Sequence, residues 1–245
     1  MVQDDERLSQ DALEYVKRNK GLLVSKFASD LLFPSAEHPI SGFMAGSPGA
    51  GKTEFSKNLL SALGKNGLTN VVRIDADEIR LLLPGYNGKN ASIFQYAASV
   101  GVEKLHDYVI KRNKHFILDG TLHDYDKAKA NIDRSIVHGR LVMLYYVYQD
   151  PVVAWKFTKK REIQEGRCIP MDDFINQFLL ARETVGRLIE EYRTKKEKVE
   201  FVYIEKNIDD NKVEAVYPKV DQLDKLMPSK YSKEDLIDKL AKIEI

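Results

Sequence analysis

The chain has 245 residues, 43% hydrophobic and 31% charged, the make-up of an ordinary globular protein with material for a sizeable core. Its 38 lysines and arginines balance 37 acids, so no global field draws it to nucleic acid or an anionic membrane, and its one cysteine, Cys168, excludes an intrachain disulfide and a cysteine-based metal site. No apolar run approaches the roughly 20 residues of a membrane span, and the polar start Met1-Val2-Gln3-Asp4-Asp5-Glu6-Arg7 is unlike a signal peptide, which sets the expectation of a cytoplasmic protein with no membrane contact.

In chain order, Leu8, Leu13 and Val16, then Leu22, Leu23, Phe27, Leu31 and Leu32 recur at helical spacing until Phe33-Pro34. Residues 1–38 are therefore expected to be helices packed on the core, with a surface for a partner as the alternative. Ile40-Ser41-Gly42-Phe43-Met44-Ala45 reads as a buried strand. It leads into Gly46-Ser47-Pro48-Gly49-Ala50-Gly51-Lys52-Thr53, which fits the phosphate-binding loop Gly, four residues, Gly-Lys-Ser/Thr. The chemistry needs this order of residues. Glycines let consecutive N–H groups turn inward around a phosphate, and the following helix presents its positive end to the same anion. Lys52 reaches the β and γ phosphates, and Thr53 offers a hydroxyl to magnesium. Strand, loop and helix in register identify a nucleoside triphosphate site, with ATP and Mg2+ as the expected cofactors.

After the turn at Gly64–Asn70, Val71-Val72-Arg73-Ile74 is a second strand, and a short helix follows over Ile79–Leu83 before Pro84-Gly85-Tyr86-Asn87-Gly88 halts it. Ala91–Arg112 reads as a long helix, His115-Phe116-Ile117-Leu118 as a third strand and Tyr125–Val137 as a helix. Leu141–Tyr148 is a fourth strand, apolar throughout and so buried on both faces. Pro151 opens a helix running toward Gly166-Arg167-Cys168-Ile169-Pro170, a long helix runs from Asp172 to about Lys196, and Phe201-Val202-Tyr203-Ile204 is a fifth strand. Residues 205–245 are expected to be a helical tail, with Leu236, Leu240 and Ile243 on one side after Pro228. Strands alternating with helices predict an α/β fold, a P-loop NTPase-like parallel sheet with helices on both faces, in one domain over 1–245.

Ligands of such sheets collect at the carboxyl ends of the strands. Asp75 and Asp77 follow the second strand; Asp119 and Thr121 follow the third. A carboxylate within reach of an acceptor hydroxyl can take its proton, and Asp77, just past the strand end, is the candidate base. Asp75 is assigned to magnesium, with a helix N-cap as the structural alternative for this pair. Asp119 could order magnesium or contact substrate, or simply make a turn with Gly120. Arg161 and Arg167 stand where a lid would fold over the phosphates and stabilise charge on the transferring group; the alternative is a solvated basic helix. Five histidines lack metal-ligand spacing, Trp155 and Tyr145-Tyr146-Tyr148 read as packing, and Lys195–Lys198 as an exposed helix end.

The loop at 46–53, Ile74-Asp75-Ala76-Asp77, Leu118-Asp119-Gly120-Thr121 and Gly166-Arg167-Cys168-Ile169-Pro170 together resemble the zeta toxin family over roughly Pro39 to Tyr203. The resemblance implies a kinase that phosphorylates the 3′-hydroxyl of the sugar in UDP-N-acetylglucosamine and is restrained by an antitoxin. It implies Asp77 as base, Lys52 and Thr53 as phosphate and magnesium contacts, and Asp119, Thr121 and the helical Glu103 on the substrate side. Arg161 and Arg167 become the lid arginines. Two departures stand out: Asp119 replaces a familiar glutamate, and the two arginines are closer in sequence than the family's pair. Other acceptors, namely a polynucleotide 5′-hydroxyl, a nucleoside or an antibiotic, remain open, as does a nucleotide-gated binding protein within a toxin–antitoxin complex. Near-neutral charge makes nucleic acid the poorer choice.

Overall fold

The strands assemble in the order β2-β3-β1-β4-β5-β6, five of them parallel and the last antiparallel to its neighbour. The computed structural model describes residues 2–194, 198–227 and 230–243. In chain order the elements are α1 (Val2–Arg18), α2 (Lys20–Phe27), β1 (Ile40–Ala45), α3 (Lys52–Lys65), β2 (Val71–Asp75), α4 (Ala76–Arg80), α5 (Gln95–Lys111) and β3 (His115–Asp119). They continue with α6 (Tyr125–Val137), β4 (Leu141–Tyr148), α7 (Pro151–Glu165), α8 (Met171–Tyr192), β5 (Val199–Lys206), β6 (Val213–Tyr217) and α9 (Lys233–Leu240).

Side chains alternate between two cores because strand residues point to opposite faces. Met44, Ile117, Val147, Val202 and Ile204 meet Phe55, Leu59 and Leu63 of α3 on one face. Phe43, Ile74, Phe116, Leu144 and Tyr203 meet α5, α6 and α8 on the other. β4 serves both, Leu144 and Tyr146 facing one core and Met143, Tyr145 and Val147 the other, which is why its sequence is apolar without alternation. Outside this layer, α1 packs on α5 and buries Ala12, Leu13 and Val16.

Several boundaries differ from the sequence expectation. The first apolar run stops being helical at Phe27, and Leu31 and Leu32 lie exposed in the following loop. α4 ends at Arg80 and not Leu83. The helix expected from Ala91 starts only at Gln95, after a chain of turn bonds: Ala91 N–H to Gly88 O, Ile93 N–H to Asn90 O and Gln95 N–H to Ser92 O. These turns sink Phe94 into the core. α8 runs from Met171 to Tyr192, and residues 195–197, expected to end it, lie outside the described ones. The expected helical tail is corrected most. Val213-Glu214-Ala215-Val216-Tyr217 is an antiparallel edge strand on β5, closed by the turn Asn207–Asn211; β-branched and aromatic residues at a half-exposed edge suit a strand. Among the described residues of that stretch, only Lys233–Leu240 are α-helical, with Leu236 and Leu240 buried.

Candidate active site

The loop between β1 and α3 closes on itself through Lys52, whose Nζ donates to Gly46 O at 3.0 Å and Ser47 O at 2.6 Å. Gly49 has φ +72°, and a Cβ there would lie 1.9 Å from the Ala154 carbonyl oxygen of α7, so only glycine fits. Gly46 N–H donates to Thr121 O at 3.1 Å, tying the loop to the end of β3. Burial pulls the Lys52 ammonium down to about 8; Asp119 and Asp77 resist this, and Arg161 and Arg167 add to it. Lys52 therefore sits within the field of every charged residue expected at the site except Asp75 and Glu103.

Parallel register sets Asp75 beside Asp119 at the ends of β2 and β3. Two adjacent carboxylates need a cation, and Arg73 supplies it from two residues earlier on the same face of β2. Its Nη2 donates to Asp75 Oδ2 and, at 2.7 Å, to Asp119 Oδ2; Nη1 reaches Glu78, and Nε donates to Ser56 Oγ at 3.1 Å. Ser56 Oγ in turn lies 3.1 Å from Asp119 Oδ2 and 3.0 Å from Thr53 O. Asp75 Oδ1 accepts from Asp77 N–H and caps α4. Both oxygens of Asp75 are thus engaged within the protein. Its carboxyl is pushed above the ordinary value by burial, then by Asp119 and Asp77, against Arg73. Ser56 links Asp119 to the Thr53 carbonyl, and the described hydrogen bonds to Asp119, from Arg73 and Ser56, go to Oδ2. The described residues contain no group of three or more His, Cys, Asp or Glu arranged to hold a metal.

Asp77 lies in the first turn of α4. Arg80, one turn on, donates to Oδ1; Arg161 of α7 donates to Oδ2 at 3.3 Å and Arg167 to the same oxygen at 2.5 Å. Burial pushes the Asp77 carboxyl up, but Arg167, Arg80 and Arg161 outweigh it and hold it below the ordinary range. Arg161 and Arg167, expected as lid arginines, reach one oxygen because Gly166, with φ +75°, ends α7 and turns the chain back. Gly88 packs under that turn, where a Cβ would lie 2.2 Å from Glu165 O.

Thr121 and Glu103, two of the residues expected on the acceptor side, are more open. Thr121 Oγ1 is hydrogen-bonded to His123 Nδ1 at 2.5 Å, and His123 is depressed by burial and by Lys127 and Lys52, against Asp124. Glu103 is exposed on α5 and pairs with Lys127 of α6 at 3.0 Å; no described hydrogen bond joins it to the Asp77 cluster. Sequence reasoning missed Arg73, Arg80, His123 and two residues of the β5–β6 hairpin, Lys206 and Asn211, whose side chains lie against Gly51. The Arg80–Asp77 relation, three apart on a helix, was the one readable signal among these.

The fold and the loop define a P-loop NTPase-like protein. The chain matches the Zeta toxin family over residues 25–222 and belongs to it. That family is one of kinase-like phosphotransferases. Among solved structures, one from the PezAT chromosomal toxin–antitoxin system of Streptococcus pneumoniae aligns over 94% of this chain and 98% of its own, with TM-score 0.66 and 18% identity. The AvrRxo1-ORF1:-ORF2 structure with ATP aligns over 98% of this chain and 73% of its own, with TM-score 0.60 and 13% identity. The structure of the same pair with sulphate ions gives 0.60 at 14% identity. At these identities the likeness is one of fold. No curated protein matches the chain. No helix among the described residues is long and apolar enough to cross a membrane.

Proposed function

We propose that the protein is an ATP- and magnesium-dependent kinase that transfers the γ-phosphate to a hydroxyl of a small molecule, most specifically the 3′-hydroxyl of UDP-N-acetylglucosamine or a related nucleotide sugar. The observation that carries this reading is the meeting of Asp77, Arg161 and Arg167 over the Lys52 loop. A carboxylate base beside guanidinium groups aimed at a phosphate cradle is what in-line phosphoryl transfer to an alcohol requires. Asp77 Oδ2 takes the proton of the acceptor hydroxyl as its oxygen bonds the γ-phosphorus and the bridging bond to ADP breaks. Lys52, Arg161 and Arg167 balance charge on the transferring group. The Thr53 hydroxyl and Asp119 would hold magnesium better than Asp75, whose two oxygens are already used, and the ion would supply charge neutralisation for the phosphates. Thr121, Asp119 and Glu103 are the acceptor-side residues by family resemblance. An antitoxin partner is supported by the toxin–antitoxin system to which the Streptococcus pneumoniae neighbour belongs, and ATP by the nucleotide in the AvrRxo1-ORF1:-ORF2 structure.

The test is transfer from ATP/Mg2+ to UDP-N-acetylglucosamine, followed by mass spectrometry and phosphorus NMR, with Asp77→Asn as control. The wild type is expected to make a sugar phosphate and Asp77→Asn none, while still binding ATP. Full activity in Asp77→Asn would remove Asp77 as base; no product from wild type would remove this acceptor and turn the search to other alcohols.

A further inference from the structure

Arg80 is among the largest fully buried side chains of the molecule, with a relative exposure of 2%. A guanidinium is buried at a cost unless it is paired. Arg80 has two partners: Nη1 donates to Asp77 Oδ1 and Nη2 to Gln95 Oε1 at the start of α5. Its Nε has no partner among the described residues, so the guanidinium is held at one edge only, by the base and by Gln95. The turns that delay the start of α5 are what bring Gln95 to this spot.

The arginines around Asp77 are divided by oxygen. Arg80, on the same short helix, takes Oδ1; Arg161 and Arg167, from α7 and the turn after it, take Oδ2. The Arg161 side chain is 42% exposed and that of Arg167 25% exposed, against 2% for Arg80. A phosphate draws exposed guanidiniums more strongly than a single carboxylate does. Arg80 cannot follow them, because Gln95 and the surrounding core fix it.

From this geometry we infer that Arg80 is a positioning residue for the transfer: it clamps Oδ1 through Gln95, so that Oδ2 alone faces the acceptor hydroxyl once Arg161 and Arg167 turn to phosphate. The inference rests on the kinase reading and adds to it the residue that aims the base. The charged and titratable groups facing Asp77 are Arg80 on α4, Arg161 on α7, Arg167 after it, Asp75 at the end of β2 and Lys52 at the start of α3; Tyr86 lies within the field of Arg167.

The test compares Arg80→Gln, Arg80→Lys and Gln95→Ala with wild type. Gln95 is exposed, so its variant keeps the fold even if Arg80→Gln does not. Misplacing a reacting group by about 1 Å costs about 10²-fold, so kcat is expected to fall about that far in Arg80→Gln with KM for ATP unchanged, and less in Gln95→Ala and Arg80→Lys. The acid limb of the kcat profile moves to higher pH in Arg80→Gln, because a cation that favours the carboxylate has gone. Carbon-13 NMR of the Asp77 carboxyl, assigned with Asp77→Asn, follows the same titration without any acceptor, and its midpoint is expected to rise. A kcat and an Asp77 midpoint equal to wild type in all three variants overturn the positioning role. Failure of wild type to phosphorylate UDP-N-acetylglucosamine removes that acceptor and not the positioning role, and the NMR midpoint, which needs no acceptor, still decides whether Arg80 holds Asp77.

Discussion

Replacing Arg73 by Met removes the cation that lies between Asp75 and Asp119 while keeping an unbranched apolar stem. The Arg73, Asp75 and Asp119 side chains are 8%, 10% and 4% exposed, so the two acids left behind have little water to turn to. Breaking a buried ion pair by removing one partner costs about 3–5 kcal/mol. Glu78, 37% exposed, adds little to that. At about 2–4 °C per kcal/mol for a domain of this size, Tm should fall by about 6–20 °C. The pH dependence gives the mechanism away. The Asp75 carboxyl already stands above its ordinary value because of burial and its acidic neighbours, with Arg73 opposing. Without Arg73 it rises further above its unfolded value, and the folded state then prefers the protonated form. Such a group favours folding below its unfolded pKa, and this contribution is lost as pH rises through the folded one. The Tm deficit of Arg73→Met relative to wild type is therefore largest at pH 7–8 and shrinks toward pH 5. Thermal melts followed by circular dichroism at four pH values measure it. A deficit below about 2 °C at pH 7 would contradict the buried-pair magnitude, and one that grows on acidification would contradict the assignment of its cause.

Gly49→Ala places a methyl 1.9 Å from a backbone oxygen that cannot swing aside and asks alanine for a left-handed φ, itself worth about 1–2 kcal/mol. Fluorescent-nucleotide titration is expected to show at least a ~10-fold loss of ATP affinity, and unchanged affinity would mean the loop does not hold phosphate in this shape. Lys52, depressed to about 8, is half deprotonated near that pH in the free protein, and a bound phosphate favours its charged form. Calorimetry in buffers of different ionisation enthalpy should then show proton uptake of about half a proton on ATP binding at pH 8. The uptake should fade by pH 6.5; its absence at both pH values would place Lys52 away from the phosphates.

Much of the fold was legible because its signals are local. Buried parallel strands read as apolar runs, as β4 does, and the glycines at 46, 49 and 51 announce a loop that only their backbone freedom permits. Asp75, Asp77 and Asp119 could be placed near the phosphate loop because strand ends converge on one edge of a parallel sheet. What could not be read depends on pairing between distant residues. Arg73 becomes the hub of two acids only through the register that sets Asp75 beside Asp119, and Arg80 becomes buried only when Gln95 arrives from the next helix. Lys206 and Asn211 meet Gly51 because a hairpin folds back on β5, and the short, half-exposed β6 that forms it carries too weak an alternation to outweigh the polar stretch around it.

The charges of the cleft form two layers that must answer a polyanion differently. In the inner layer, Arg73 holds Asp75 and Asp119 through Nη2 and binds Ser56 through Nε, all within nearly buried side chains. A triphosphate cannot draw Arg73 away without leaving two buried carboxylates uncompensated. In the outer layer, Arg161 and Arg167 are partly solvated, and Asp77 together with Glu165, 2.8 Å from Arg161 Nη2, is what holds them. These two guanidiniums can change partners at small cost. The inner layer also includes the cap of α4, since Asp75 Oδ1 accepts from Asp77 N–H. The helix carrying the proposed base is therefore anchored to the inner layer, and the Asp77 side chain faces the outer one, an arrangement that would let phosphate binding uncover Asp77 Oδ2 without displacing the backbone beneath it.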